Sequence, residues 1–288
     1  MMIQCIHVNR TTLKLNDNCV GYKFNKKIHA HTLNEKPLWG TSTVCGVVSG
    51  GGGLMWWASG MACTTFGWTN KKNGSETERL RTALTTLDII RTMKDVDYLD
   101  MLDTAYSAHD RYKNERAKIG TARHEELEIY VKQCIELNEG VPTTQAYIGT
   151  NPYVLEFKEW SYRNIKRFLW SELYCYSERL WVGGIADVGW VDMEDRIIAA
   201  DFKSSKEAYW NQFIQIAGYD IQITENGGFN ENGERTFEKF DSNIEGISGY
   251  CIIPFGAPTL TPTFKYNVDD YKRGFESALT LHKIKETV

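Results

Sequence analysis

Between residues 165 and 203 apolar runs alternate with short polar breaks, and there the elements are easiest to read. Residues 181–191 and 197–202 form two apolar runs of strand length, separated by the acidic stretch Asp192-Met-Glu-Asp195. Such a pattern predicts a β-hairpin. Ile185, Val191 and Ile197 fall on one face and Val188, Trp190, Ile198 and Phe202 on the other, so both faces are covered and the strands are central ones. With the turn centred on Glu194, Val191 faces Ile197, Gly189 faces Ala199 and Asp187 faces Asp201.

The flanking segments extend the pattern. Residues 154–167 predict a helix with Phe157, Trp160 and Ile165 inward, and 168–176 a strand. After the hairpin come a helix over 206–223, a long polar excursion over 225–245, a strand over 249–254 and a closing helix over Val268–Lys285. Upstream, 1–38 carries short alternating runs at 3–8, 12–15, 20–24 and 29–33, read as a small β extension. The glycine run after Ser49 is a turn leading into an apolar helix in which Trp56 and Trp57 are core residues; no Gly-Lys-Ser/Thr follows, which argues against a nucleotide loop. Leu80, Leu84, Leu87 and Ile90 give an amphipathic helix over 75–93, opened by a Ser75/Glu78 capping box. Further helices are expected over 97–115 and 120–138. The fold class is α/β: an extension at 1–38, then one domain at 39–288 with a helical part to residue 150 and a core from 151.

Two carboxylates opposite each other on an antiparallel pair have Cβ atoms about 5 Å apart. They repel by about 3 kcal/mol at an effective dielectric near 20, and a cation offsets this directly. Lys203 shares the face of Asp201, because side chains two apart on a strand do. Magnesium and manganese take carboxylate oxygens, backbone carbonyls and water, and Asp187, Asp201 and the Phe202 carbonyl could supply the protein's share. Lys203 beside the ion would hold a water or stabilise charge on a phosphate, which is the equipment for phosphodiester hydrolysis. The alternative is a buried Asp–Lys ion pair beside a turn aspartate.

Gly184-Ile-Ala-Asp187, Asp201-Phe-Lys203 and Gln215-Ile-Ala-Gly-Tyr219, with Gly120-Thr-Ala-Arg-His124 upstream, resemble the motifs of the PD-(D/E)XK nucleases, in the RecB-like exonuclease branch. The resemblance covers roughly 40–285 and is to phage-type exonucleases and the mitochondrial genome maintenance exonuclease. It implies a three-layer α/β/α restriction-endonuclease-like core with a mixed sheet, an N-terminal helical wall and a small β extension. It also implies that His124 completes the metal site and that Glu172, among aromatic neighbours, contributes directly or through water; Arg167 or Arg179 could instead neutralise Glu172. Gln215 and Tyr219 would reach toward the phosphate backbone, and Ser42 and Thr43 would line the path of a strand. The implied activity is Mg²⁺- or Mn²⁺-dependent DNA hydrolysis at single-stranded or free ends, in recombination, repair or phage DNA processing. A structure- or sequence-selective endonuclease and a non-cutting DNA- or protein-binding module are the rivals. Ends are favoured because the relatives are exonucleases and because residues 42–58 and the helices before His124 could roof the sheet.

Composition alters little. At 42% hydrophobic and 24% charged residues the chain is in the soluble globular range. No apolar run approaches the ~20 residues of a membrane span, and the first thirty residues lack a signal peptide's apolar stretch, so a cytoplasmic location is expected. The seven cysteines are scattered singly, which suggests buried free thiols and no iron–sulfur cluster. A net charge of −4 does not advertise nucleic-acid binding, yet positive charge can be confined to a groove, with Lys158, Arg163, Lys166 and Arg167 as one wall or simply a solvated face. His29 and His31 share a strand face and read as a surface pair before a metal pair.

Overall fold

The structure, a computed structural model, describes residues 21–49, 52–69, 74–230, 233–240 and 246–287. The strands expected at 3–8 and 12–15 lie outside the described residues, as do Cys5 and Cys19. The chain divides into two compact units, one of Met1–Ser49 with Gly120–Val288 and one of Gly50–Ile119.

The larger unit is a mixed α/β body. Its N-terminal part has β1 (Tyr22–Asn25), β2 (Ala30–Leu33) and β3 (Lys36–Pro37) as a small antiparallel sheet, then β4 (Trp39–Gly40) and a short helix α1 (Thr41–Cys45). The main sheet is built on β5 (Ile165–Ser177), β6 (Val182–Asp192) and β7 (Ile197–Lys203). β6 lies between β5 and β7, antiparallel to both, and its residues are buried along nearly the whole strand, as an apolar run covered on both sides requires. The turn is set by Asp192, whose Oδ1 accepts from the Glu194 and Arg196 amides at 3.0 and 2.9 Å. Aspartate does this readily, which is why the acidic break reverses the chain.

After β7 comes α7 (Trp210–Asn226), then the short strands β8 (Gly228–Phe229) and β9 (Arg235–Phe237), where sequence alone gives only a polar excursion. β10 (Ile247–Pro254) returns parallel to β7, β11 (Thr263–Lys265) pairs antiparallel with β10, and α8 (Val268–Lys285) closes the chain. The eight-stranded sheet runs β11-β10-β7-β6-β5-β8-β9, with β4 beside β6.

Successive strand residues point to opposite faces, and the core divides accordingly. Ala199, Tyr250 and Ile252 pack with Phe213 and Ala217 of α7 and Phe275 of α8. Ile198, Ala200 and Cys251 pack with Leu127 and Tyr130 on the other side and with Phe157 of the helix Pro152–Asn164. Helices therefore cover both faces. The strand expected at 168–176 starts three residues earlier, because the preceding helix ends at Asn164 and the β-branched Ile165 joins the sheet.

The other unit is helical: α2 (Gly52–Thr65), α3 (Glu76–Thr92), α4 (Asp95–Tyr106) and the first part of α5 (Ala108–Asn138); the helix Pro152–Asn164 is then α6. The capping box forms, with Ser75 Oγ accepting from the Glu78 amide at 3.3 Å and Glu78 Oε2 accepting from the Ser75 amide at 2.8 Å. Two expectations fail here. The helices over 97–115 and 120–138 are instead cut at Ser107, whose hydroxyl donates to the Asp103 carbonyl, and continuous through Gly120, since the charged good helix formers around that glycine outweigh its propensity cost. Trp56 and Trp57, expected in the core, are exposed, Trp56 to 82%.

Smaller corrections follow from packing. His31 is buried, with Nδ1 2.5 Å from the Tyr22 hydroxyl, while His29 is exposed in a left-handed turn (φ 52°), so the two are neither a surface pair nor a metal pair. Cys45, Cys134, Cys175 and Cys251 are buried free thiols as expected, but Cys63 is exposed. Lys158 donates to the Thr144 and Ala146 carbonyls and Lys166 pairs with Asp195, which leaves only Arg163 and Arg167 of the suggested basic wall exposed without such a partner among the described residues. No described helix is long and apolar enough to cross a membrane.

Candidate metal centre

The hairpin register is Val191 with Ile197, Trp190 with Ile198, Gly189 with Ala199 and Val188 with Ala200. The ladder stops there. One step further, at Asp187 and Asp201, the strands part, and Asp187 Oδ2 accepts the Phe202 amide at 2.9 Å in place of a backbone carbonyl. The two aspartates therefore stand at the fork between the strands, where groups from both faces of the sheet can reach them.

From one face comes His124 of α5. Its Nε2 lies 3.0 Å from Asp187 Oδ2 and 3.9 Å from Glu172 Oε1, and its ring meets Phe202 edge-on at 5.7 Å. Gly120, one turn earlier, explains the approach: a Cβ there would stand 3.1 Å from Ser204 Cβ, just beyond the end of β7. Glycine lets the helix come down on the strand end, and the helical period then turns His124 toward the fork.

Glu172 arrives by an unusual backbone. Its neighbours Ser171 and Leu173 pair with Val188 and Ala186, so Glu172 stands opposite Asp187, and it is held at φ 50°. A left-handed glutamate inside a strand costs about 1–3 kcal/mol, which the surrounding ladder must overcome. One ligand atom each from His124, Glu172 and Asp187 lie within 4.8 Å of one another, a spacing that suits a shared cation.

From the other face come Asp201, Lys203 and α7. Asp201 is 1% exposed, and no backbone amide, side-chain amide or hydroxyl of the described residues donates to its carboxylate. Its nearest charge is the Lys203 ammonium, at 2.5 Å from Oδ2. Lys203 also donates to Gln215 Oε1 at 3.2 Å, and Gln215 Nε2 donates to the Tyr219 hydroxyl at 2.6 Å. Gln215 and Tyr219, one turn apart, thus stand behind the lysine and hold it. Gly184 makes room for them, since a Cβ there would fall 2.5 Å from the Tyr219 ring and 2.7 Å from Thr41 Oγ1.

The charges are mutually adjusted. Burial and the neighbouring Asp187 push Asp201 up to about 7, against the pull of Lys203. Burial and Asp187 likewise raise Glu172 to about 8. Asp187 itself is held low: burial works against its charge, but the hydrogen bond and charge of His124, with Lys203 and the Phe202 amide, prevail. Burial would lower His124, yet Asp187, Glu172 and Asp201 raise it to about 9. Lys203 follows the same logic, with Asp201 and Asp187 outweighing its desolvation. Three carboxylates face two cationic side chains.

Of the residues singled out from sequence, His124, Glu172, Asp187, Asp201, Phe202, Lys203, Gln215 and Tyr219 are drawn together. Ser42 and Thr43 are not: both are exposed on α1, and neither side chain hydrogen-bonds to this cluster. The buried member of that stretch is Thr41, which donates to the Gly183 carbonyl at 3.1 Å and accepts from Gln222 at 2.8 Å, pinning α1 to β6 and α7. Cys45 was also unforeseen; burial pushes its thiol up to about 12, and its field is felt by Lys203. Nothing in sequence spacing marks either residue. No protein-family model matches the chain, and no curated protein matches it.

Proposed function

We propose that this chain is a metal-dependent deoxyribonuclease hydrolysing phosphodiester bonds, with the sheet and its two helical faces forming the three-layer core of the PD-(D/E)XK, RecB-like enzymes. The observation that carries the reading is the buried Asp201 carboxylate, whose one partner among the described residues is the Lys203 ammonium at Oδ2, set beside the His124, Glu172 and Asp187 ligand atoms. Buried carboxylates are ordinarily hydrogen-bonded, paired or bound to metal. Lys203 meets one oxygen only, and the negative charge of the neighbouring Asp187 works against the ionised carboxylate.

His124, Glu172, Asp187 and Asp201 would hold Mg²⁺ or Mn²⁺, hard ions that favour carboxylate oxygen and accept imidazole. The Phe202 carbonyl can join them, since an extended residue points its N–H and C=O to the same side and the Phe202 amide already faces Asp187. The ion supplies Lewis acidity and a water of lowered pKa. Lys203 places its charge where the phosphate becomes more negative, and Gln215 and Tyr219 fix its direction. Cleavage at ends, within recombination, repair or phage DNA processing, is the form of the activity the motif resemblance favours.

Calorimetric titration with Mn²⁺ tests the site. Wild type should bind, and Asp201→Asn should bind far more weakly; equal affinities would remove Asp201 from the metal site and the carrying observation with it.

A further inference from the structure

Next to the cluster is a cavity of about 370 Å³, in the size range of pockets that take small molecules. Glu172 belongs to both: its carboxylate reaches His124 and its body forms part of the cavity wall. Whatever occupies the cavity is therefore an immediate neighbour of whatever the cluster holds. The remaining walls come from α5, from β5, from Lys26 in the β1–β2 turn and from described residues of the β8–β9 excursion, with Phe237 and Leu169 giving apolar surface and Ser171 and Thr236 giving hydroxyls.

The charges select the occupant. Glu172 turns its carboxylate to the cluster, and the other charged lining residues, Glu128 and Glu136 against Lys26 and Lys132, balance, with Lys132 paired to Glu128. Such a lining offers no surplus of positive charge to hold an anionic group. A neutral, partly aromatic group with hydrogen-bonding edges fits it. We propose that the cavity receives the nucleoside at the end of the strand, base and sugar together, next to the phosphate held at the cluster. This rests on the hydrolytic reading above. It adds that the enzyme grips the terminal base rather than a terminal phosphate, so a phosphate placed on the end that enters should slow the reaction.

The test uses single-stranded oligonucleotides with Mn²⁺, each end in turn carrying an ordinary nucleotide, an abasic tetrahydrofuran residue or a terminal phosphate. Wild type should remove the base-bearing hydroxyl end about tenfold faster than the abasic one, the loss expected of one stacked base. Thr236→Trp, at an exposed position on the rim, should fill the cavity and abolish that preference while Mn²⁺ affinity stays native; Thr236→Val should behave as wild type. Equal rates for ordinary and abasic ends with wild type would overturn the proposal, as would a folded Thr236→Trp that keeps the preference. A wild type that cuts but ignores the terminal base sinks this inference alone. One that cuts no DNA sinks the hydrolytic reading and this with it.

Discussion

Asp201→Asn should make the metal-free protein more stable. Its carboxyl is 1% exposed and is pushed from 3.8 to about 7 by burial and by Asp187. Between those values the folded protein holds a proton that the unfolded chain has released, so stability falls as pH rises through that window. Some three pKa units at about 1.4 kcal/mol each set a ceiling of about 4 kcal/mol, reached above pH 7. Asparagine is nearly isosteric and carries no charge to desolvate. Even half the ceiling would raise the unfolding midpoint by roughly 4–8 °C in a chain of this size. The assay is thermal unfolding in EDTA at pH 5 and pH 8, then with Mn²⁺ added. The mutant should unfold at a higher temperature than wild type at pH 8, the gap should shrink to about a third at pH 5 and close only below about pH 4, and Mn²⁺ should stabilise wild type only. A mutant less stable than wild type in EDTA at pH 8 would refute the reasoning, because it would mean that Asp201 and Lys203 form a satisfied structural ion pair.

Other outcomes follow from the same geometry. Lys203→Ala should lower the cleavage rate by about two to three orders of magnitude while DNA affinity in Ca²⁺ changes little, as rate and binding assays run side by side would show. Gly120→Leu should weaken Mn²⁺ binding by about tenfold or more without touching a ligand, since Ser204 leaves no room and His124 must move; calorimetry reads this, and native affinity would contradict it. Burial and His29 push His31 down to about 4, so folding favours its neutral form, and stability present above pH 6.5 is lost as pH falls toward 4. His31→Gln should flatten that part of the denaturant-midpoint profile. Linear single strands should be degraded faster than closed circles of the same sequence, giving mononucleotides or short oligonucleotides; equal nicking of circles would favour the endonuclease reading and leave the metal residues in place.

The hairpin was legible because two unbroken apolar runs around an aspartate-led turn admit few other structures, and its register follows once Asp192 anchors the reversal. Strand parity then put Lys203 beside Asp201. The fork itself was not legible. Parity carries the ladder through Asp187 and Asp201, whereas the Asp187 side chain takes the Phe202 amide and ends it. Nor does any pattern announce that Glu172 adopts φ 50° to face Asp187, because that conformation is imposed by the neighbouring strand and not by local propensity. In the stretch 41–43 the three residues are similar in type, and only the packing on Gly184 and Gly218 selects Thr41 for the interior. The exposure of Trp56 has a related cause, since periodicity reports which face of a helix is apolar but not what, if anything, covers it.

The central claim is that the cluster at the fork hydrolyses DNA with a divalent metal. The most direct measurement is cleavage of end-labelled linear DNA by purified wild type in Mn²⁺ and in EDTA, with Asp187→Asn run alongside. The account predicts cleavage by wild type in Mn²⁺, none in EDTA, and none above background by Asp187→Asn in either. Cleavage that persists in EDTA, or that survives loss of the Asp187 carboxylate, would contradict it.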